Sequence, residues 1–414
     1  ELEWAGGESG EIKYLEFRAE DLRGRYRGKD ISVGGALLAE RVRLEDDRLS
    51  ARRVTTDGLD LRAGDNRVRL VADLSDVPAR ARGSAWLLGE FVDNKDLGDW
   101  LMPPPATTSR AAKLSDADSD ALRKSADAWI AQAKEFLVAA ELDLRFRLDR
   151  VNAYDATVAQ TYDVRRVVGQ LDVRQGAAKL GYVGAVCGGI ARSDIAVNLK
   201  DATPMVAVSG SLSDLIATES IQPQIAQFFP GNTVQGYFNR REQVQYPLRD
   251  ALCRALDPRW PLRPAGEAKT VTIDGLLRGR AAPRFVANLF PGLNLAEYPY
   301  QRMTGFTEFR ADGTAENDMI FSGKTYDIYI EGTTDADNIG RYEIGLILLG
   351  SPQTPEMNHR YRPGRIPILK WEARIEGGRL YDEEVSYPWP NETLGVVFLK
   401  NNLFYRIWLN AKKP

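Results

Sequence analysis

Residues 142–149 alternate apolar and charged side chains without exception, and this pattern constrains the fold more than any other feature of the sequence. Because successive side chains of a strand point to opposite faces, the alternation predicts a strand with one apolar and one solvated face. Similar short runs follow at a spacing of about ten residues, which is typical of an antiparallel sheet. These further predicted strands cover residues 164–168, 169–173, 177–183, 195–199 and 205–210.

The first hundred residues predict a β meander. Short apolar runs lie within residues 11–18, 31–44 and 50–88, and turn formers interrupt the last of these at residues 57–58 and 64–66. Such runs, divided by Gly, Asp and Asn, are the usual signal of hairpins.

The chain is also predicted to be β from residue 306 onward. Within that region Tyr326, Ile328 and Ile330 alternate with Asp327 and Tyr329, which predicts a second stripe of side chains that share one face.

A composition change at the prolines of residues 103–105 predicts a linker, and a helix is predicted after it over residues 115–140. Ser115 is a suitable N-cap, acids occupy the first turn, and apolar residues recur at spacings of three and four.

Residues 214–256 interrupt the strand pattern and predict short helices near residues 221–229 and 246–256. A further helix is predicted near residues 285–289, where apolar residues again cluster without alternation.

The composition argues against catalysis, metal binding and nucleic-acid binding. The chain of 414 residues has one histidine, His359, and two cysteines, Cys187 and Cys253, which are too few for the usual metal sites. His359 has no accompanying nucleophile motif, and the net charge of -3 supplies no field for nucleic acid. We therefore expect no enzyme, no cofactor, no metal and no nucleic-acid partner. The spacing of the cysteines leaves open whether they form a disulfide.

Three passages in order along the chain resemble the C-terminal region of the AsmA family, which is related to TamB-like and bridge-like lipid transfer proteins. The first is residues 167–189, where strands are joined by glycine turns at Gln175-Gly176 and Gly188-Gly189. The second is the helical interruption at 214–256, and the third is the glycine-punctuated strand series of residues 303–332, followed by the strand near Ile366. The resemblance covers roughly residues 140–380.

The resemblance implies a mainly β fold, an elongated twisted antiparallel sheet curled into an open groove, with a few short helices. Four segments are expected: a β meander over 1–102, a linker and amphipathic helix over 103–140, an AsmA-like region over 141–385, and aromatic strands over 386–414.

The family further implies a non-catalytic protein of the bacterial cell envelope, located in the periplasm. Its expected function is to handle or transfer phospholipid between membranes, or to support outer-membrane assembly, with phospholipid acyl chains and other envelope proteins as partners. The candidate groove residues are Leu142, Leu144, Phe146, Leu148, Leu171, Val173, Ile195, Val197, Leu199, Tyr326, Ile328 and Ile330. The chain begins with Glu1 rather than Met, which leaves open whether a signal or an inner-membrane anchor precedes it.

Three alternatives stay open at this point. From the residues alone, the stripe Leu142, Leu144, Phe146 and Leu148 fits the core face of a β-sandwich better than a groove, and the resemblance to the AsmA family reverses this preference. A structural or scaffolding component of an envelope assembly that binds no lipid would use the same β body. The C-terminal aromatic residues Phe398, Phe404, Tyr405 and Trp408 fit either a membrane or partner contact or a closing edge strand.

Overall fold

The computed structural model describes residues 2–6, 11–26, 29–45, 48–96, 114–155, 160–217, 233–257, 259–278, 297–324, 326–337, 339–348, 367, 369–376 and 379–386. Within these residues the protein is mainly β, with one mostly antiparallel open sheet and three helices. His359, the C-terminal aromatic residues and the helices predicted near 221–229 and 285–289 lie outside the described residues.

The strands are longer than the sequence runs that predicted them, and several span 15 to 17 residues. They are β1 (Leu2–Gly6), β2 (Glu11–Tyr26), β3 (Lys29–Glu45), β4 (Arg48–Ala63), β5 (Asn66–Val77), β6 (Arg82–Asp93), β7 (Glu141–Asp155), β8 (Gln160–Arg174), β9 (Ala177–Val186), β10 (Gly189–Asn198), β11 (Met205–Ile216), β12 (Thr233–Pro247), β13 (Ala265–Arg278), β14 (Glu297–Phe309), β15 (Ala315–Ser322), β16 (Tyr326–Thr334), β17 (Gly340–Leu348), β18 (Leu369–Glu376) and β19 (Arg379–Ser386).

The chain divides into two compact units. The first unit is Glu1–Leu215 with Arg241–Gly266, and the second unit is Ile216–Arg240 with Glu267–Pro414. The four-segment division drawn from the sequence remains a prediction.

In the first unit, β1 to β6 pair consecutively and antiparallel, and so do β7 to β11. β6 and β7 pair in parallel, with Arg82 opposite Glu141 and Asp93 opposite Asn152. A parallel pair needs a crossover of a dozen or more residues, and the segment that contains the prolines and the helix supplies it. In the second unit, β14 to β19 pair consecutively and antiparallel.

Helix α1 (Asp116–Leu137) confirms the helix predicted after the linker. The Ser115 hydroxyl accepts a hydrogen bond from the Asp118 backbone N–H at 3.1 Å, and Asp116 and Asp118 lie in the first turn, where they complement the helix dipole. Helix α2 (Leu248–Leu256) confirms the helix predicted near residues 246–256. Residues 94–96 are also helical.

Three local predictions are wrong. Residues 57–58, predicted as a turn, form a bulge inside β4, because the pairing with β5 shifts between Thr56 and Leu59. Residues 164–173, predicted as two strands, belong to the single strand β8, which carries a bulge between Arg165 and Val168. Residues 233–247, placed in the helical interruption, form β12 instead, and the helix that follows begins at Leu248.

Candidate functional site

The stripe Leu142, Leu144, Phe146 and Leu148 lies on one face of β7, and the register carries that face onto β8. Antiparallel partners point to the same side of a sheet. Leu142 lies opposite Val173, Leu144 opposite Leu171, Phe146 opposite Gly169, and Leu148 opposite Val167.

The same face continues across the neighbouring strands of the first unit. We call it the apolar face. On β6 it includes Ala85 and Leu87, which lie opposite Leu144 and Phe146. On β9 to β11 its members are Ala178, Leu180, Tyr182, Ile195, Val197, Val206 and Val208, as the registers show. The candidates Ile195 and Val197 therefore share a surface with the β7 stripe, and Leu199 follows it as a buried residue in the turn after β10.

The opposite side, which we call the polar face, is far more open to water. Its charged members Arg145, Arg147 and Asp149 are exposed. Apolar residues on this side are exposed as well: Val168 keeps 49% of its surface in water, and Ile190 keeps 54%.

The apolar face is only partly buried. Ala85, Val167, Val173 and Val206 are buried, whereas the large residues of the β7 stripe are half-buried, as are Ala178, Val197 and Val208. A dry core would bury large residues most completely, since they offer the most apolar surface. Each of these large side chains therefore keeps part of its surface accessible to solvent.

Phe146 lies over its cross-strand partner Gly169. A Cβ added at Gly169 would lie 2.2 Å from Phe146 Cζ and 2.5 Å from the Gly181 carbonyl oxygen. The glycine thus provides the space in which the ring rests, and the aromatic side chain covers the exposed backbone of the neighbouring strand.

Helices α1 and α2 close the turn end of the sheet in the first unit. The Gly176 N–H, in the turn between β8 and β9, donates to the Leu137 carbonyl oxygen at 3.0 Å. The Leu248 N–H, at the start of α2, donates to the Pro204 carbonyl oxygen, just before β11, at 2.8 Å. The two helices meet in a small core of Ala126, Cys253 and Trp260, with Leu114, Leu122 and Leu252 around it.

An ion pair stabilises the chain next to this helix pair. Arg259 Nη2 lies 2.7 Å from Asp257 Oδ2, and both side chains are largely buried. The hydrogen bond from Arg259 holds the pKa of Asp257 below its usual range. Arg254 Nη1 also donates to the Trp260 carbonyl oxygen at 3.0 Å, which ties α2 to the segment that follows it.

The second stripe, Tyr326, Ile328 and Ile330, lies in the second unit and has a different character. Ile328 lies opposite Phe321 and Leu346, and both of these partners are completely buried. Tyr326 and Ile328 are themselves buried, and Ile330 is half-buried. This part of the second unit is a close-packed core.

Aromatic residues reinforce this core. The Tyr298 ring stacks on Tyr326 at 4.8 Å, and its hydroxyl donates to the carbonyl oxygens of Phe321 and Tyr326 at 3.2 and 2.7 Å. Burial raises the pKa of Tyr326 to about 12 and also raises the pKa of Tyr298. Neither hydroxyl is suited to proton transfer near neutral pH.

Four acidic residues form a row across neighbouring strands of the second unit, and the sequence did not predict it. Asp318, Glu331, Glu343 and Glu372 lie directly opposite one another across β15 to β18. Like charges at such positions destabilise a sheet. Contacts at Glu343 offset part of this repulsion, because its carboxylate accepts hydrogen bonds from the Tyr329 hydroxyl and from Lys370 Nζ, each at 2.6 Å. The four acids come from four separate strands, so no local sequence motif could have predicted the row.

Chemistry-bearing clusters are sparse in the described part of the chain. No group of three or more His, Cys, Asp or Glu side chains there is arranged to hold a metal ion. Cys253 is buried between the helices, and it is not bridged to Cys187. Among the same residues no helix has the length and apolarity that a membrane crossing requires.

Comparison with known proteins gives no match: neither a protein-family model, nor a curated protein, nor a solved structure matches the chain.

Proposed function

We propose that this protein handles phospholipid without catalysing a reaction, and that acyl chains lie on the apolar face of the first unit. In this proposal the sheet is elongated, twisted and curled into an open groove, and the protein acts in a bacterial cell envelope. There it would transfer phospholipid between membranes or support outer-membrane assembly. The second unit would then supply stability.

The incomplete burial of the large residues on the apolar face is the observation that carries the proposal. Leu144, Phe146 and Leu171 present a continuous apolar surface across two strands, and each keeps part of its surface in water. Each methylene of an acyl chain that leaves water contributes about 0.8 kcal/mol, so such a surface would hold a lipid tail without any covalent step. The bulges in β4 and β8 favour a curled sheet, since bulges bend strands and increase their twist.

Extraction of the purified chain with organic solvent, followed by mass spectrometry, tests the proposal. We expect phospholipid to accompany the protein. The variant Leu144→Asp should lose it, and the matched variant Leu88→Asp should retain it. Both replace a leucine on neighbouring strands of one sheet, but Leu144 lies on the apolar face and Leu88 is 39% exposed on the polar face.

Two results would contradict the proposal. A chain that carries no lipid when purified without detergent would favour the scaffolding function. Equal phospholipid in the Leu144→Asp and Leu88→Asp variants would show that any bound lipid lies elsewhere.

A further inference from the structure

The surface of α1 has three distinct sides. One side packs inward through Ala126, with half-buried neighbours at Leu122, Ile130, Ala133 and Leu137. A second side is charged, and on it Arg123 lies over the Trp260 ring at 5.3 Å. The third side, which we call the aromatic flank, lies on the other side of the inward stripe from Arg123 and carries Trp129 and Phe136.

The aromatic flank is exposed and almost free of charge. Trp129 keeps 51% of its surface in water and Phe136 keeps 37%. The other members along the helix are Ala121, Ser125, Ala128 and Gln132, all exposed and uncharged, together with the exposed Asp118, which lies in the first turn and is the one charged residue on this side. The amphipathic character of α1 therefore extends beyond the stripe that its own fold buries.

The size of the flank decides what kind of partner it fits. The two rings leave on the order of 200 Å² of aromatic surface in water, since a whole aromatic side chain offers roughly 150–250 Å². A stable interface between two protein copies buries about 800 Å² on each partner, which is several times more. Partial insertion into a lipid surface needs no matching protein partner, and Trp prefers the membrane–water interface because its ring is amphipathic.

We propose that the aromatic flank of α1 inserts Trp129 and Phe136 into the interfacial region of a lipid bilayer. This inference rests on the proposed function, to which it adds the surface that meets the membrane. α1 is hydrogen-bonded to the turn end of the sheet, so the contact would bring that end of the apolar face to the lipid.

The charge of α1 specifies the lipid surface. The helix carries five acids and three bases, so it offers no attraction to anionic headgroups. Binding should therefore occur on zwitterionic phosphatidylcholine vesicles, should change little with salt, and should not strengthen when phosphatidylserine is added.

Flotation of the full chain with phosphatidylcholine vesicles on a density gradient tests the inference. The wild-type chain should float, and the double variant Trp129→Ala with Phe136→Ala should lose at least about tenfold in partitioning, because the inserted rings carry the binding. Trp86→Ala is the matched control, since Trp86 is 44% exposed on the polar face of β6 and should not affect flotation. Alanine preserves helix propensity, and circular dichroism checks that the double variant stays folded.

The outcomes separate this inference from the proposed function. Failure of the wild-type chain to float, or equal flotation of the double variant, would overturn the inference even if the purified chain carries phospholipid. Flotation that depends on Trp129 and Phe136 would support the inference even if extraction recovers no phospholipid, and in that case the proposed function alone fails. The inference would also be overturned if the wild-type chain self-associated without binding vesicles and the double variant did not self-associate. The partner of the aromatic flank would then be a second copy of the chain.

Discussion

Substitution of phenylalanine by aspartate at two positions distinguishes an open apolar face from a closed core. Phe146 is half-buried on the apolar face of the first unit, and Phe321 is completely buried in the second unit. Complete burial of a Phe contributes about 1.5–3 kcal/mol, so the loss at a half-buried position should cost about 1–2 kcal/mol. The new carboxylate at position 146 would reach water and pay little further penalty.

Phe321→Asp should be much more destabilising. Truncation of a buried Phe alone costs about 3–5 kcal/mol. An unpaired carboxylate in the same place adds several kcal/mol more, and the sum approaches the whole stability of a domain, about 5–15 kcal/mol. We therefore expect Phe146→Asp to remain soluble and folded with reduced lipid content, and Phe321→Asp to unfold or aggregate.

Urea unfolding followed by circular dichroism measures the difference, and lipid extraction is carried out on the same preparations. Val168→Asp is the control for the polar face, where the new acid would lie opposite Arg147 and change stability by no more than about 0.5 kcal/mol. If Phe146→Asp is as destabilising as Phe321→Asp, the apolar face of the first unit is a closed core and the reasoning fails.

Three further predictions concern single contacts. Gly169→Ala should lower the free energy of unfolding by about 1–3 kcal/mol, because the new methyl group would collide with the Gly181 carbonyl oxygen as well as with the movable Phe146 ring; an unchanged urea midpoint would contradict this. Glu372→Lys should raise stability by about 0.5–1 kcal/mol, and more at low salt, because it places opposite charges across from Glu343; thermal melts at two salt concentrations test it. Asp257→Asn should cost about 3 kcal/mol near neutral pH. Arg259 lowers the pKa of Asp257 in the folded state. The ion pair therefore stabilises the fold fully above the ordinary carboxyl pKa of about 4, and this stabilisation is lost as pH falls through the lowered value. The difference in unfolding free energy between wild type and variant should accordingly disappear in acid.

Elements set by local sequence were predictable. The alternation of residues 142–149 correctly placed a strand with one exposed side, because a period of two admits few other structures. Ser115 and the acids after it correctly marked the start of α1, since capping depends on three or four neighbouring residues. The turn at Gln175-Gly176 was also found, where both residues have positive φ values of 49° and 81°.

Features set by pairing partners were not predictable. Asp57-Gly58 has the sequence of a hairpin turn, but β3 and β5 hold both ends of β4 in register and reduce it to a bulge. More than 40 residues separate β6 from β7, and the parallel pairing depends on how this long connection places β7 beside β6. No local sequence pattern determines that placement. Within the candidate site, Ala85 and Leu180 were missed because alanine and glycine neighbours weaken the alternation on β6 and β9.

The two predicted stripes have the same sequence pattern, and their neighbours decide what each can do. The second stripe lies among aromatic rings, and Tyr298 fastens it by donating to two backbone carbonyl oxygens. A lipid tail that entered there would have to displace a buried hydroxyl from its partners, at a cost of about 1–3 kcal/mol for each group left unsatisfied. The first stripe has Gly169 opposite Phe146 and valines opposite Leu142 and Leu148, and its large side chains keep part of their surface in water. Binding an apolar ligand therefore costs little free energy on the first unit, whereas on the second unit it would disrupt a packed core. For this reason the proposed lipid surface is restricted to β6 to β11.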